Sequence, residues 1–223
     1  MAKSSSAEQG LNKIIEHTLL KQDATTEDVK TLCEEAKTHK FFGVCVPPYY
    51  VEQAHKLLEK TSVKVITVVG FPLGYSLTSI KVEEAKKAIE KGADEIDMVI
   101  NLSAFRNKEY NYIKNEIDSV ATIARMNNKL MKVIIESGSL TDEEIVKACE
   151  LAVEGGADFV KTSTGFNGTG AKVEHVALMR ASLPEKIKIK ASGGIKDRAF
   201  ALELAKVGAD RIGASASINL MEA

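Results

Sequence analysis

The tripeptide Gly-Ala-Asp recurs three times in this chain, at Gly92-Ala93-Asp94, Gly156-Ala157-Asp158 and Gly208-Ala209-Asp210. Each copy follows a helical pattern and precedes a short apolar run, reading EIDMVI, FVKTS and RIGAS in turn. A glycine just past a helix end suits the left-handed C-cap conformation. Each interval accommodates about two strand-plus-helix units, so the repeat implies a strict alternation of strands and helices.

Filling in the intermediate units gives strand candidates at His17–Leu19, Gly43–Val46, Lys64–Val69, Glu95–Ile100, Met131–Ile135, Phe159–Lys161, Ile187–Lys190 and Arg211–Gly213. Helical patterns lie between them, including Thr26–His39, Ile80–Lys91, Glu109–Met126, Thr141–Glu154, Val173–Ser182 and Lys196–Val207. Thr141 opens TDEE, a capping-box pattern with Glu144 three residues on. Alternation implies a parallel sheet, and eight units favour a closed (β/α)8 TIM barrel of the α/β class over an open doubly wound sheet. Little chain remains after the eighth strand, so the last helix is expected to be brief.

The 223 residues suit one domain. Residues 1–10 are expected to be a flexible segment ahead of a barrel domain at 11–223. The opening MAKSSSAEQG is polar and lacks the apolar stretch of a signal peptide. No apolar run approaches the roughly 20 residues of a membrane span, and a net charge of −1 lacks the basic footprint of a nucleic-acid binder. Cys33, Cys45 and Cys149 lie far apart and read as reduced thiols in a cytoplasmic protein. Four histidines show no HxH or HExxH pairing, which leaves a metal site unsupported. GxGxxG after the first strand and GxxxxGK[ST] are both missing, so dinucleotide and P-loop readings lose their usual support. No cofactor is indicated.

In a barrel of this kind the site lies at the C-terminal ends of the strands, and alternation selects which residues point inward. Phe159 shares a face with Lys161, Lys188 with Lys190, and Glu95 with Asp97 and Val99. KIKIK also admits a strand with one wet face. If Ile187 and Ile189 face the helices instead, Lys188 and Lys190 point into the barrel. Lys161 and Lys190 are one repeat unit apart and should stand on adjacent strands, with Asp97 two units before Lys161. The three residues can converge on one cavity.

A free lysine at pH 7 is the neutral nucleophile in only about one molecule in 2,500. A neighbouring cation and partial burial both raise that fraction. A neutral lysine attacks a carbonyl to form an imine, which once protonated withdraws electrons from an adjacent carbon–carbon bond. Asp97 can move protons as the imine forms and collapses. These residues point to a lysine-dependent aldolase that needs no metal. Ser192-Gly193-Gly194 and Gly213-Ala214-Ser215 follow strands seven and eight, where such barrels often hold phosphate. Their glycines either let backbone amides reach an anion, helped by a following helix N-terminus, or only make tight turns. A sugar-phosphate isomerase would explain the glycine loops but not paired lysines. A noncatalytic binding barrel would explain neither lysine.

EIDMVIN, FVKTSTG and KIKASGGI, together with GVCVPP, KVIIES and RIGAS, resemble the deoxyribose-phosphate aldolase family from Glu16 to about Ser217. The resemblance implies reversible cleavage of 2-deoxy-D-ribose 5-phosphate to D-glyceraldehyde 3-phosphate and acetaldehyde in deoxynucleoside catabolism. Homodimers are common in the family. It further implies that Lys161 is the Schiff-base lysine, that Lys190 perturbs it and shares in proton transfer, and that Asp97 is the proton donor/acceptor. Gly165, Gly193, Gly194, Gly213 and Ser215 fall where the family holds phosphate. Thr18, Cys45 and Thr162 are candidates for the substrate pocket, with simple packing or turn roles as the alternatives; His17 likewise lines the pocket floor or packs. Glu136 reads as a supporting carboxylate or an acid/base. The chain departs from the family at Glu16, where an aspartate is common, at Phe166, where some members place a phosphate-contacting lysine, and in SINLMEA, which has no tyrosine.

Overall fold

Eight parallel strands hydrogen-bond in chain order and close on themselves, with the first pairing the eighth. They are β1 (Ile15–Thr18), β2 (Gly43–Val46), β3 (Lys64–Val69), β4 (Glu95–Val99), β5 (Leu130–Ile134), β6 (Phe159–Lys161), β7 (Lys188–Ser192) and β8 (Arg211–Ala214). The structure, a computed structural model, describes residues 10–221. The expected flexible segment therefore lies outside the described residues except for Gly10, which precedes a 3₁₀ turn at Leu11–Ile14.

The helices are α1 (Thr26–His39), α2 (Val51–Leu58), α3 (Thr78–Glu90), α4 (Leu102–Arg106), α5 (Tyr110–Met126), α6 (Asp142–Glu154), α7 (Val173–Ser182) and α8 (Arg198–Lys206). Thr25 and Thr141 cap α1 and α6 in full capping boxes, with Asp28 and Glu144 as the returning carboxylates. Two helices, α4 and α5, follow β4. Among the described residues β8 is followed only by a 3₁₀ turn at Asn219–Met221.

The first strand begins two residues earlier than expected, because Glu16 pairs Gly43 on one side and Gly213 on the other. The fourth stops at Val99, because Asn101 caps α4 by accepting from Ala104 N. The seventh reaches Ser192, which pairs Gly213.

The recurring tripeptide pins this register. Asp94 donates its N–H to Val65 O at 2.7 Å, and its carboxylate accepts from Val65 N at 3.1 Å. Asp158 grips Met131 in the same way, at 3.0 and 2.8 Å, and Asp210 grips Ile189 at 2.8 and 2.8 Å. The three aspartates thus lock β4 to β3, β6 to β5 and β8 to β7. The preceding glycines turn the chain out of each helix with φ of 105°, 82° and 125°. At Gly208 a Cβ would also meet Arg180 Cγ at 2.7 Å.

Two apolar regions result. The large one lies between the sheet and the helices and includes Val44, Ile96, Met131, Val160, Ile189 and Ile212. A small one lies inside the barrel, where Cys45, Ile66 and Val68 pack with Leu20, Phe42 and Phe71. The sector from β4 round to β1 carries the buried ions, with Phe159 among them beneath Lys132. No helix of the described residues is long and apolar enough to cross a membrane.

If the aspartates pin the register, Asp158→Ala should lower stability by about 1–3 kcal/mol, as loss of a hydrogen bond to a charged acceptor implies. The midpoint of urea unfolding would measure this. An unchanged midpoint would make the motif a mere turn.

Candidate active site

Inward parity brings Asp97, Lys132, Lys161 and Lys190 together from four successive strands. Lys161 pairs Lys190 directly in the sheet, and Ile134 pairs Lys161, so Lys132 stands deeper. Lys161 Nζ donates to Asp97 Oδ2 at 2.9 Å, and Lys190 Nζ donates to the same oxygen at 2.7 Å. Lys132 Nζ donates to the other oxygen, Oδ1, at 2.9 Å. One carboxylate thus holds three ammonium groups, all four side chains being buried.

The network extends to β1 and β8. Glu16 accepts from Lys190 and lies 3.6 Å from Lys132. Glu95 lies 2.5 Å from Lys132. Arg211 reaches both Glu16 and Glu95 at 3.4 Å, and its guanidinium stacks 3.3 Å over the Phe42 ring. The glutamate that departs from the family's usual aspartate is therefore a full member of the cluster.

Gly213 makes room for this arrangement. A Cβ there would meet Lys190 Cε at 2.9 Å and Ser192 Cβ at 3.1 Å. Lys81 and Glu116, a fully buried pair at 2.7 Å, tether the end of β4 from outside the barrel. Lys81 Nζ donates to Val99 O at 2.8 Å, and Glu116 accepts from Asn101 N at 3.1 Å. Asp97 lies just before that anchored segment.

Burial and charge drive the lysines apart. Burial pushes the Lys161 ammonium down; Asp97 opposes this and Lys190 reinforces it, leaving the group below the usual lysine range. Burial also acts on Lys190, but Asp97 and Glu16 outweigh it and hold Lys190 above that range. Lys132 is raised in the same way by Asp97, Glu16 and Glu95. Burial alone would raise Asp97, yet Lys132, Lys161 and Lys190 together keep it well below the carboxylate range. The cluster offers one poised amine between two firmly charged ones.

Lys161 opens into a cavity of about 170 Å³ at the C-terminal face of the barrel. Gly165, Gly193, Gly194, Gly213 and Ser215 all line it. The first three adopt φ of 83°, 89° and 75°, a conformation that exposes backbone rather than side chain. The helix after Ser192-Gly193-Gly194 does not present a free N-terminus, because Asp197 already caps α8 by accepting from Phe200 N at 2.9 Å. The glycine loops and Lys196 line the cavity together. Phe166 forms part of the wall, edge-on to Phe71. A larger groove of about 410 Å³ runs from Gly70 to Ser76 and along α3, but Lys161 does not reach it. The smaller cavity is therefore the candidate site.

Thr18 lines this cavity. Thr162 and Cys45, the other expected pocket residues, do not. Thr162 Oγ1 is occupied in stitching β6 to β7, donating to Ser192 O and accepting from Ser192 N. Cys45 is enclosed in the small apolar cluster, where burial pushes its thiol up. His17 points outward to Glu35 at 2.8 Å. Glu136, in the left-handed conformation with φ 53°, accepts from Thr164 N at 3.2 Å and so holds the loop after Lys161. Sequence reasoning missed Lys132, although it precedes Lys161 by the same one-unit step that separates Lys161 from Lys190. It also missed Arg211 and Lys196. Among the described residues no group of three or more His, Cys, Asp or Glu is arranged to hold a metal ion.

The geometry predicts selective chemistry at one amine. Reductive methylation with formaldehyde should label Lys161 ahead of Lys190 and Lys132, because only neutral amine reacts. Its rate should rise as pH increases through the lowered pKa of Lys161. Equal labelling of Lys161 and Lys190, read by peptide mass, would contradict the assignment of the poised amine.

Residues 12–219 match the family described as DeoC/LacD family aldolase. The deoxyribose-phosphate aldolase of Clostridium tetani is 53% identical over 212 residues, which cover 95% of this chain and 98% of that protein. The deoxyribose-phosphate aldolase of Caldanaerobacter subterraneus is 48% identical over 223 residues, covering 100% of this chain and 96% of its own. Among solved structures, the tetrameric deoxyribose phosphate aldolase of Aeropyrum pernix superposes with a TM-score of 0.91 at 32% identity, covering 97% of this chain and 92% of the other.

Proposed function

Because the chain belongs to the DeoC/LacD family of aldolases, we propose that it cleaves 2-deoxy-D-ribose 5-phosphate reversibly to D-glyceraldehyde 3-phosphate and acetaldehyde through an imine on Lys161. The observation that carries this reading is the poised Lys161 amine, hydrogen-bonded to Asp97 at the floor of a cavity walled by glycine loops.

Neutral Lys161 attacks C1 of the open-chain aldehyde, and loss of water leaves a protonated imine. A base takes the proton of the C3 hydroxyl, and the C2–C3 bond breaks. Its electron pair flows into the imine, which becomes an enamine, and C3 leaves as the aldehyde carbon of glyceraldehyde 3-phosphate. Protonation of C2 and hydrolysis then release acetaldehyde and free Lys161. The iminium supplies the electron sink, so no step requires a metal.

Asp97 rests as a carboxylate, which suits a group that accepts a proton and passes it on rather than storing it. Lys190 stays charged, so it acts as a cation and hydrogen-bond donor, not as a second neutral amine. The phosphate lies against Gly165, Gly193, Gly194, Gly213 and Ser215. Lys196 supplies a positive charge there, in place of the lysine that some relatives carry where this chain has Phe166. A cytoplasmic location and self-association, expected as a homodimer, belong to the same reading; the relative from Aeropyrum pernix is tetrameric.

Mixing the protein with acetaldehyde and borohydride should add one ethyl group to Lys161, seen by intact and peptide mass. EDTA should leave turnover unchanged, and Lys161→Ala should abolish it in a folded protein. No adduct, or adducts confined to surface lysines, would overturn the mechanism. Gly213→Ala should cost about 10- to 100-fold in kcat, because the added methyl displaces the Lys190 side chain. Steady-state kinetics on the variant checks this.

A further inference from the structure

Among the described residues, seven side chains form the ion-pair network of the barrel interior. Glu16, Glu95 and Asp97 supply three negative charges, and Lys132, Lys190 and Arg211 supply three positive ones. The seventh is Lys161. Among the described residues, the other groups that face this interior form no ion pair with these seven. From β2 comes the Cys45 thiol, which burial pushes up, and beyond the end of β5 the Glu136 carboxyl, which burial raises and which is turned to the Thr164 backbone and hydroxyl. From β3 come Ile66 and Val68, while Lys64, of the same parity, is exposed at the opposite end of the barrel and lies 3.7 Å from Asp94. Lys188, on β7, is exposed at the opposite end of the barrel, 5.7 Å from the Phe159 ring centroid, and Lys196 is an exposed rim residue.

We propose that Lys132 is a positioning residue that acts through Asp97 to set the protonation of Lys161, its charge being the one that balances the barrel interior only when Lys161 is neutral. The inference rests on Lys161 being the imine-forming lysine. The geometry separates two tasks on one carboxylate. Lys132 holds Asp97 Oδ1 and leaves Oδ2 to face both Lys161 and Lys190. Without Lys132, the six remaining groups would balance only with Lys161 charged, and less of the neutral nucleophile would be present at neutral pH. In a low-dielectric interior such an imbalance is costly.

The same count bears on bond cleavage. Free amine and enamine both leave residue 161 uncharged and the interior balanced. The iminium adds one unbalanced positive charge. A site composed in this way favours the electron flow that turns iminium into enamine, which is the carbon–carbon cleavage step.

The test is the pH dependence of the acetaldehyde adduct on Lys161, trapped with cyanoborohydride and measured by peptide mass. Lys132→Met removes a positive charge and should move the acid limb upward by on the order of one pH unit, slowing trapping about tenfold on that limb. Glu95→Gln removes a negative charge and should move the limb downward. Simple destabilisation would affect the two variants alike, whereas the charge count requires opposite shifts. An unmoved limb, or shifts of the same sign, would overturn the proposal. If Lys132→Met does not fold, Glu95→Gln decides alone: a downward shift supports the balance, and an unmoved or upward limb refutes it. Absence of any Lys161 adduct in the unsubstituted protein would instead refute the imine mechanism.

Discussion

A single carboxylate, Asp97, gathers three ammonium groups in the middle of a barrel. Buried charges lose their hydration and persist only where partners replace it. Much of the fold can be understood as meeting that requirement. Four adjacent strands must present the correct parity, Gly213 must lack a side chain, and the end of β4 must be held by Lys81 and Glu116. The apolar layer between sheet and helices supplies the burial that such an interior cannot.

Inside the barrel the charges are not evenly spread. The β2–β3 sector is apolar, with Cys45, Ile66 and Val68, while the sector from β4 round to β1 carries the ions. This asymmetry gives Lys161 its character. It is buried enough to be pushed toward neutrality, and it shares the Asp97 carboxylate with two competitors that keep their protons. A lysine with a carboxylate to itself would have remained charged.

The barrel was legible in the sequence because the strand-and-helix period is local and repeated. Lys161, Lys190 and Asp97 were legible because simple parity and unit spacing place them on one face. Strand ends were less so. β1 carries a charged Glu16 inward and has no apolar alternation to mark its start, while Ser192 belongs to a strand that reads like a turn. Thr162 looked available at a strand end, yet its hydroxyl is consumed by the neighbouring backbone. Lys132 was hidden because its neighbours in MKVII read as an ordinary buried strand, and a lysine there looks like an edge until the facing carboxylates are seen. Lys81 and Glu116 lie on different helices, and nothing in either segment announces the other.

The aspartate pins have a consequence for how this chain can fail. They sit at one end of the barrel and the Lys161 amine at the other, joined in β6 by a strand of only three residues. A slip of one residue in such a strand would turn Phe159 and Lys161 outward and send Val160 inward. The pin would break at the same moment, because its two contacts recognise one backbone position. Misassembly therefore forfeits stability and chemistry together. The design suppresses the most wasteful product of folding, a well-ordered molecule with Lys161 facing the wrong way, and leaves the distant rim free to vary without loosening the foundation.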